Sequence, residues 1–288
     1  MTAAVSTHGL CCRFGELWAL RDCTFELPAG RVAAVVGPNG AGKTTLLNLL
    51  VGLLPPSSGE AQVFGEIPDD TERFLRRVGF VAQDAPLYRD FSATDHLRMG
   101  KHLNATWRDD VARDRLLAAE VPLDRRASTL SGGQRAQLAL ALAIGKEPDL
   151  LLLDEPLASL DPIARRDFMQ SLMSTSATGT TVMLSSHLIS DLAHVCDFLI
   201  VIVDGRLRLV GDIDDLLAQH RWIIASTDDA ARLPAGVDIV IAYEQERVSR
   251  LLVRTADPLL NPSLVTKPVD LEDLVLAYLE NKMPALYQ

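Results

Sequence analysis

The stretch RVAAVVGPNGAGKTTLLNLLVGLL, residues 31–54, constrains the fold more than any other part of the chain. Residues 31–36 form a short, largely apolar run, the pattern of a strand buried on both faces of a parallel sheet. The run enters a glycine-rich loop and then an apolar segment predicted to be a helix over 43–54, stopped by Pro55-Pro56. The loop fits GxxxxGK[ST] at each fixed position: Gly37, Gly42, Lys43 and Thr44. Glycines there let backbone N–H groups curl around a phosphate where a side chain would clash or force an unfavourable φ. Lys43 offers a charge to the β- and γ-phosphates, Thr44 a hydroxyl to Mg²⁺, and the helix its positive dipole end. Pro38, Asn39, Gly40, Ala41 and Thr45 complete the predicted cradle. A strand before the loop and a helix after it separate a phosphate loop from a chance match, so nucleotide binding follows.

Further apolar strands are expected at 78–83, 149–155, 180–186 and 198–203, most without alternation, with helices expected over 162–175 and 187–196. That pattern is an α/β fold with crossover helices. Residues 1–30 read instead as paired antiparallel strands, and the more polar region from 84 to about 148 as an inserted helical lobe. Asp204-Gly205 marks a hairpin turn, followed by a short helix that begins in acidic residues. From residue 222 to 288 the pattern changes to three strands and a closing helix with Asp270 as N-cap, a small α+β appendage to the domain formed by 1–221.

The phosphate loop does not name a reaction, but LLLLDEP narrows it. Asp154 ends a hydrophobic strand, where a carboxylate can hold Mg²⁺, and Glu155 can orient an attacking water. A second glycine-rich turn, TLSGGQRA at 129–136, opens another long helix. On residues alone, Ser131, Gly132, Gly133 and Gln134 fit either a sharply capped helix or a second anion cradle.

LSGGQ, a helix and then LLLLDEP, behind a phosphate loop, resemble the motif set of ABC-type ATPases in order and spacing over about residues 5–221. The resemblance implies a phosphate-loop ABC cassette: an α/β core, an N-terminal antiparallel β subdomain and an inserted helical lobe. In that family the signature loop binds the γ-phosphate of ATP held by the other subunit, so the resemblance implies a head-to-tail dimer enclosing two ATPs. It places Phe14 where an aromatic stacks on adenine, and Gln83 where a glutamine reaches Mg²⁺ and the attacking water. Asp161 of ASLD falls in the dimer-facing loop, and His187 where a histidine contacts the γ-phosphate. The implied metal set is Thr44, Gln83 and Asp154, and the implied catalytic set is Lys43, Gln83, Glu155 and His187. The remaining histidines, His194 and His220 among them, are read as surface residues.

Net charge of −10 argues against a general nucleic-acid partner. No apolar run approaches the ~18–20 residues that span a bilayer. The N-terminus shows no basic region followed by an apolar segment, as a secretory signal would. Cys11, Cys12, Cys23 and Cys196 form no CxxC and are read as reduced thiols. The resemblance therefore implies a cytoplasmic ATPase subunit, peripheral on the inner face of the membrane through a separate integral-membrane permease. The moderate appendage is similar to those of ATPases paired with ABC-2-type permeases, usually exporters. An ABC ATPase doing mechanical or regulatory work without moving a solute is the alternative. The permease is expected to touch the surface from Leu87 to Phe91.

Overall fold

The computed structural model describes residues 2–84, 86–158, 160–189, 192–230, 233, 236–245, 248–255 and 264–280. β1 (Ala3–Phe14) and β2 (Leu17–Pro28) form a hairpin, and β3 (Val32–Val36) leads through the glycine loop to α1 (Lys43–Leu50). β4 (Ser58–Val63), α2 (Glu72–Arg77) and β5 (Val78–Val81) precede the lobe helices α3 (Ala93–Leu103), α4 (Asp109–Ala118) and α5 (Gly132–Ile144). The core resumes with β6 (Leu150–Leu153), α6 (Pro162–Ser176), β7 (Thr181–Ser186), β8 (Phe198–Val203), β9 (Arg206–Asp212) and α7 (Ile213–Gln219). The C-terminal elements are β10 (His220–Ser226), α8 (Thr227–Ala230), β11 (Asp238–Gln245), β12 (Val248–Arg254), β13 (Val265–Pro268) and α9 (Leu271–Glu280).

The central sheet has the order β5-β6-β7-β3-β8-β9, parallel except for the antiparallel edge strand β9. Its inner strands are buried on both faces, as their unbroken apolar sequences require. Ala33, Val35, Leu150, Leu152, Met183 and Ile200 face α1 and the antiparallel sheet β2-β1-β4. Their neighbours Ala34, Val36, Leu151, Leu153, Leu184 and Val201 face the opposite core, with residues of α5, α6 and α9. Full burial of a leucine stabilises a fold by roughly 1.5–3 kcal/mol. The four leucines of β6, each 0% exposed, therefore fix the strand that ends at Asp154.

The lobe has a separate small core of Ala93, Leu97, Ala112, Leu116, Leu130 and Leu138. The appendage is a four-stranded antiparallel sheet of order β11-β12-β10-β13. Trp222, Ile241 and Leu252 from this sheet join Leu271, Leu274 and Val275 of α9 in the core cluster that also holds Val201 of β8. Ile223, Ala242, Leu251 and Val253 form a cluster of their own with Ala230 of α8.

Three local expectations need correction. The helix predicted over 43–54 ends at Leu50, because Gly52 adopts φ +81 and its surroundings leave no room for a Cβ, with Asp69 O at 2.9 Å. The segment 187–196 forms no helix among its described residues; 190 and 191 lie outside them, and 192–195 are turns. Its helical spacing does identify the buried side, since Ile189, Leu192 and Cys196 are all in the core. His220 and His96 are each 1% exposed rather than surface residues: His220 Nδ1 lies 2.6 Å from Leu216 O and Nε2 2.9 Å from Tyr278 Oη, while His96 Nδ1 lies 2.8 Å from Ser92 O and Nε2 accepts from Tyr88 N at 3.1 Å. Asp204 and Gly205 have φ +51 and +71, the turn a two-residue hairpin needs. Asp270 caps α9 by accepting from Asp273 N at 2.7 Å; residues 281–288, including the end predicted for this helix, lie outside the described ones.

Candidate nucleotide site

The site is assembled at the C-terminal ends of four neighbouring parallel strands, where open α/β sheets bind ligands. β3 delivers the glycine loop, β6 Asp154 and Glu155, and β7 His187, while Gln83 follows β5 and is exposed. The loop is tightly seated. A Cβ on Gly37 would lie 2.2 Å from Ile202 O in β8, and one on Gly42 2.4 Å from Ala19 O in β2. Gly42 also has φ +109, a conformation that L side chains rarely adopt. The β8–β9 turn ties the loop to β2: Gly205 N donates to Ala41 O at 3.1 Å, and Arg21 N to Gly205 O at 2.7 Å. The β1–β2 hairpin therefore lies beside the loop, and Phe14, 52% exposed, sits at the end of β1 in that hairpin. Pro38, Asn39, Gly40 and Thr44 are exposed, Ala41 is buried and Thr45 half-buried.

Lys43 is 6% exposed and satisfied on several sides. Its Nζ donates to Gly37 O at 2.8 Å and to Pro38 O at 3.3 Å, and lies 3.2 Å from Glu155 Oε1. The other carboxylate oxygen of Glu155 lies 2.8 Å from His187 Nδ1. Against a carboxylate, Nδ1 is the ring nitrogen that carries hydrogen. Glu155 has φ +46, a left-handed conformation that costs a non-glycine residue about 1–3 kcal/mol. Its backbone N donates to Ser185 Oγ at 2.8 Å, and that hydroxyl donates to Asp154 Oδ1 at 2.7 Å. Ser185 thus holds the Asp154 carboxylate and the Glu155 backbone at once, a role that reading the sequence missed; the serine pair at the end of the strand before His187 was its only signal.

The second glycine-rich turn is a different place. Ser131 caps α5, accepting from Gln134 N at 3.1 Å, while Gln134 Oε1 accepts from Ser131 N at 3.1 Å. This reciprocal capping box leaves the first turn of the helix presented as a unit. A Cβ on Gly133 would lie 2.8 Å from Ala164 Cβ, so this glycine lets α5 approach α6. Asp161 caps α6, accepting from Ile163 N and Ala164 N at 3.0 Å each. Ser131, Gly133, Gln134 and Asp161 line one cleft of about 930 Å³, and Lys43, Asp154, Glu155 and His187 are not among its lining residues. The candidate residues therefore fall into two groups, Asp161 going with the second.

Residues 20–158 match the family described as ABC transporter. The chain is 35% identical over 223 residues to a Nod factor export ATP-binding protein I of Cupriavidus pinatubonensis, covering 75% of this chain and 69% of the relative. The chain belongs to the ATP-binding subunits of ABC transporters. A lantibiotic transport ATP-binding protein, SrtF, of Streptococcus pyogenes is 31% identical, over 70% of this chain and 87% of its own. Among solved structures, an ATP-binding subunit of an ABC transporter superposes with TM-score 0.67 at 26% identity, over 75% of this chain and 92% of that one. A dimeric cassette bound to ADP and Pi, at 24% identity and TM-score 0.64, shares the fold over 72% of this chain and 98% of its own. As an ABC ATP-binding subunit the protein is an ATPase that powers a membrane transporter whose permease is a separate chain. Among the described residues no helix is long and apolar enough to cross a membrane.

Proposed function

We propose that this ABC subunit drives export, acting at the cytoplasmic face of the membrane as a head-to-tail dimer with a second copy of itself or a homologous ATPase subunit. The Nod factor export name of its relative supports the direction. ATP is held by residues 37–45, and Phe14 stacks on the adenine. The fit to phosphates rests on a loop whose crowded glycines exclude side chains and whose lysine is held at its centre. Mg²⁺, when bound, neutralises phosphate charge, and the hydroxyl, amide and carboxylate of Thr44, Gln83 and Asp154 are the oxygen donors that suit it. Glu155 takes the proton of the attacking water, and His187 holds that carboxylate and contacts the γ-phosphate. Ser131, Gly132, Gly133 and Gln134, with Asp161, close on the nucleotide of the partner subunit.

The observation that carries this reading is the separation of the two cradles: Ser131 and Asp161 share a cleft that the phosphate-loop lysine and both carboxylates do not line. Each cradle needs a partner to complete it. Transmission to the permease passes through the exposed surface at Tyr88, Arg89, Asp90 and Phe91, next to the half-buried Leu87. Acidic net charge makes nucleic acid an unsuitable partner.

Affinity capture of tagged Glu155→Gln from its native membranes with ATP, followed by mass spectrometry, tests the proposal. A stoichiometric multi-span permease of exporter type is expected. Recovery with an extracytoplasmic substrate-binding protein would overturn the direction. Ribosomal proteins, or a soluble self-dimer alone, would overturn the permease partnership. A cross-linking scan over 87–91 that finds no permease contact would displace the docking surface.

A further inference from the structure

We infer that the C-terminal appendage carries a second ligand site, separate from the nucleotide cradles, for a small hydrophobic organic cation. The inference does not rest on the export reading. Between the appendage sheet and α9 lies a cavity of about 370 Å³, within the range of small-molecule sites. On the helix side, Asp273, Leu276, Ala277 and Glu280 line it, at the i, i+3, i+4, i+7 spacing of a single helix face. On the sheet side, the Trp222 and Tyr243 rings stand 6.2 Å apart at 36°. Trp222 is buried at 5% exposure, while Tyr243 and Leu276 remain 42% exposed. The walls therefore combine aromatic and aliphatic surface with three charged side chains, Arg250, Asp273 and Glu280.

The charges select the ligand. Arg250 is answered inside the protein: its guanidinium carbon lies 3.9 Å from the Trp222 ring centroid, and Nη2 lies 3.4 Å from Asp273 Oδ2. The same Asp273 oxygen accepts from Trp222 Nε1 at 2.9 Å. Among the described residues Glu280 accepts from a neutral donor, the Tyr243 hydroxyl at 2.8 Å, and pairs with no cation. An anionic ligand would meet the Glu280 carboxylate, beside an Arg250 already engaged by Asp273 and Trp222. A monocation with an apolar or aromatic body meets the opposite conditions: Tyr243 presents a π-face and Glu280 a carboxylate without a cationic partner. The burial that raises the Tyr243 pKa, joined by its bond to Glu280, keeps this phenol a neutral donor beside the carboxylate.

Isothermal titration of the full chain tests the site with three probes of similar bulk: benzyltrimethylammonium, neutral benzyl alcohol and anionic phenylacetate. Saturable binding of the cation is expected, at least ~10-fold tighter than either of the others. Glu280→Gln and Tyr243→Ala should each weaken the cation by ~10-fold while ATP affinity is unchanged, and the ATP readout reports that each variant is folded. Equal affinity for all three probes would reduce the cavity to a hydrophobic crevice. A preference for phenylacetate, absence of cation binding, or indifference to both substitutions would each overturn the inference.

Discussion

Ser185→Ala is the sharpest perturbation the structure offers. The hydroxyl is fully buried and makes two bonds at once, accepting from Glu155 N at 2.8 Å and donating to Asp154 Oδ1 at 2.7 Å. A hydrogen bond to a charged group contributes about 1.5–3 kcal/mol and a neutral one about 0.5–1.5. Losing both destabilises the fold by about 2–4 kcal/mol. At ~1–3 kcal/mol per molar urea, that lowers the unfolding midpoint by ~1 M or more. The catalytic consequence is larger. Glu155 holds a left-handed backbone at φ +46, and Ser185 is what ties its N–H down. A carboxylate displaced by ~1 Å can lose ~100-fold in rate. Steady-state ATP hydrolysis should therefore show kcat lowered ~10–100-fold with ATP affinity nearly retained, the pattern of an interaction made in the transition state. Urea unfolding followed by circular dichroism gives the stability arm. Unchanged kcat with a lowered midpoint would refute the aiming role, and an unchanged midpoint would refute the hydrogen-bond accounting.

Gly133→Ala puts a Cβ 2.8 Å from Ala164 Cβ and should force α5 away from α6, lowering turnover while ATP binding to the isolated subunit is unaffected; equilibrium ATP binding beside steady-state kinetics checks the split. His220 supplies a pH dependence. Burial lowers its pKa below the ordinary histidine value, so between the unfolded value of about 6.5 and the folded one the unfolded chain binds the extra proton. Stability from this group is full above about pH 6.5 and is lost as pH falls through that window. Urea midpoints at pH 7.5 and 5.5 should therefore differ more in the wild type than in His220→Gln.

The glycine loop, the both-face-buried strands and the capped turn at Ser131 were legible because their constraints are local. Gly37 and Gly42 meet backbone atoms that no side chain could pass, and a run such as Leu150–Leu153 has no polar face to expose. The failures were long-range. Ser185 reaches Asp154 and Glu155 across 31 and 30 residues of chain, and nothing in the local pattern LSSH records that bond. His220 looked like a surface residue because its partner Tyr278 is 58 residues away. The 187–196 segment carries a helical spacing of apolar residues that does bury one side, yet it turns to feed β8 instead of forming a helix. Three of the four appendage strands were legible, but that Trp222 and α9 share a core with β8 depends on packing that periodicity cannot express.

The head-to-tail arrangement is tested most directly by mixing two inactive variants, Lys43→Ala and Ser131→Glu, and measuring ATP hydrolysis against each alone. One joins a broken phosphate loop to an intact signature turn, and the other the reverse. If the second cradle serves the partner's nucleotide, each mixed dimer contains one site built from two intact halves, and hydrolysis appears on mixing that neither variant shows alone. If both cradles serve the nucleotide of their own subunit, every site in the mixture has one broken half. Mixed dimers that form but show no recovered hydrolysis would contradict the account.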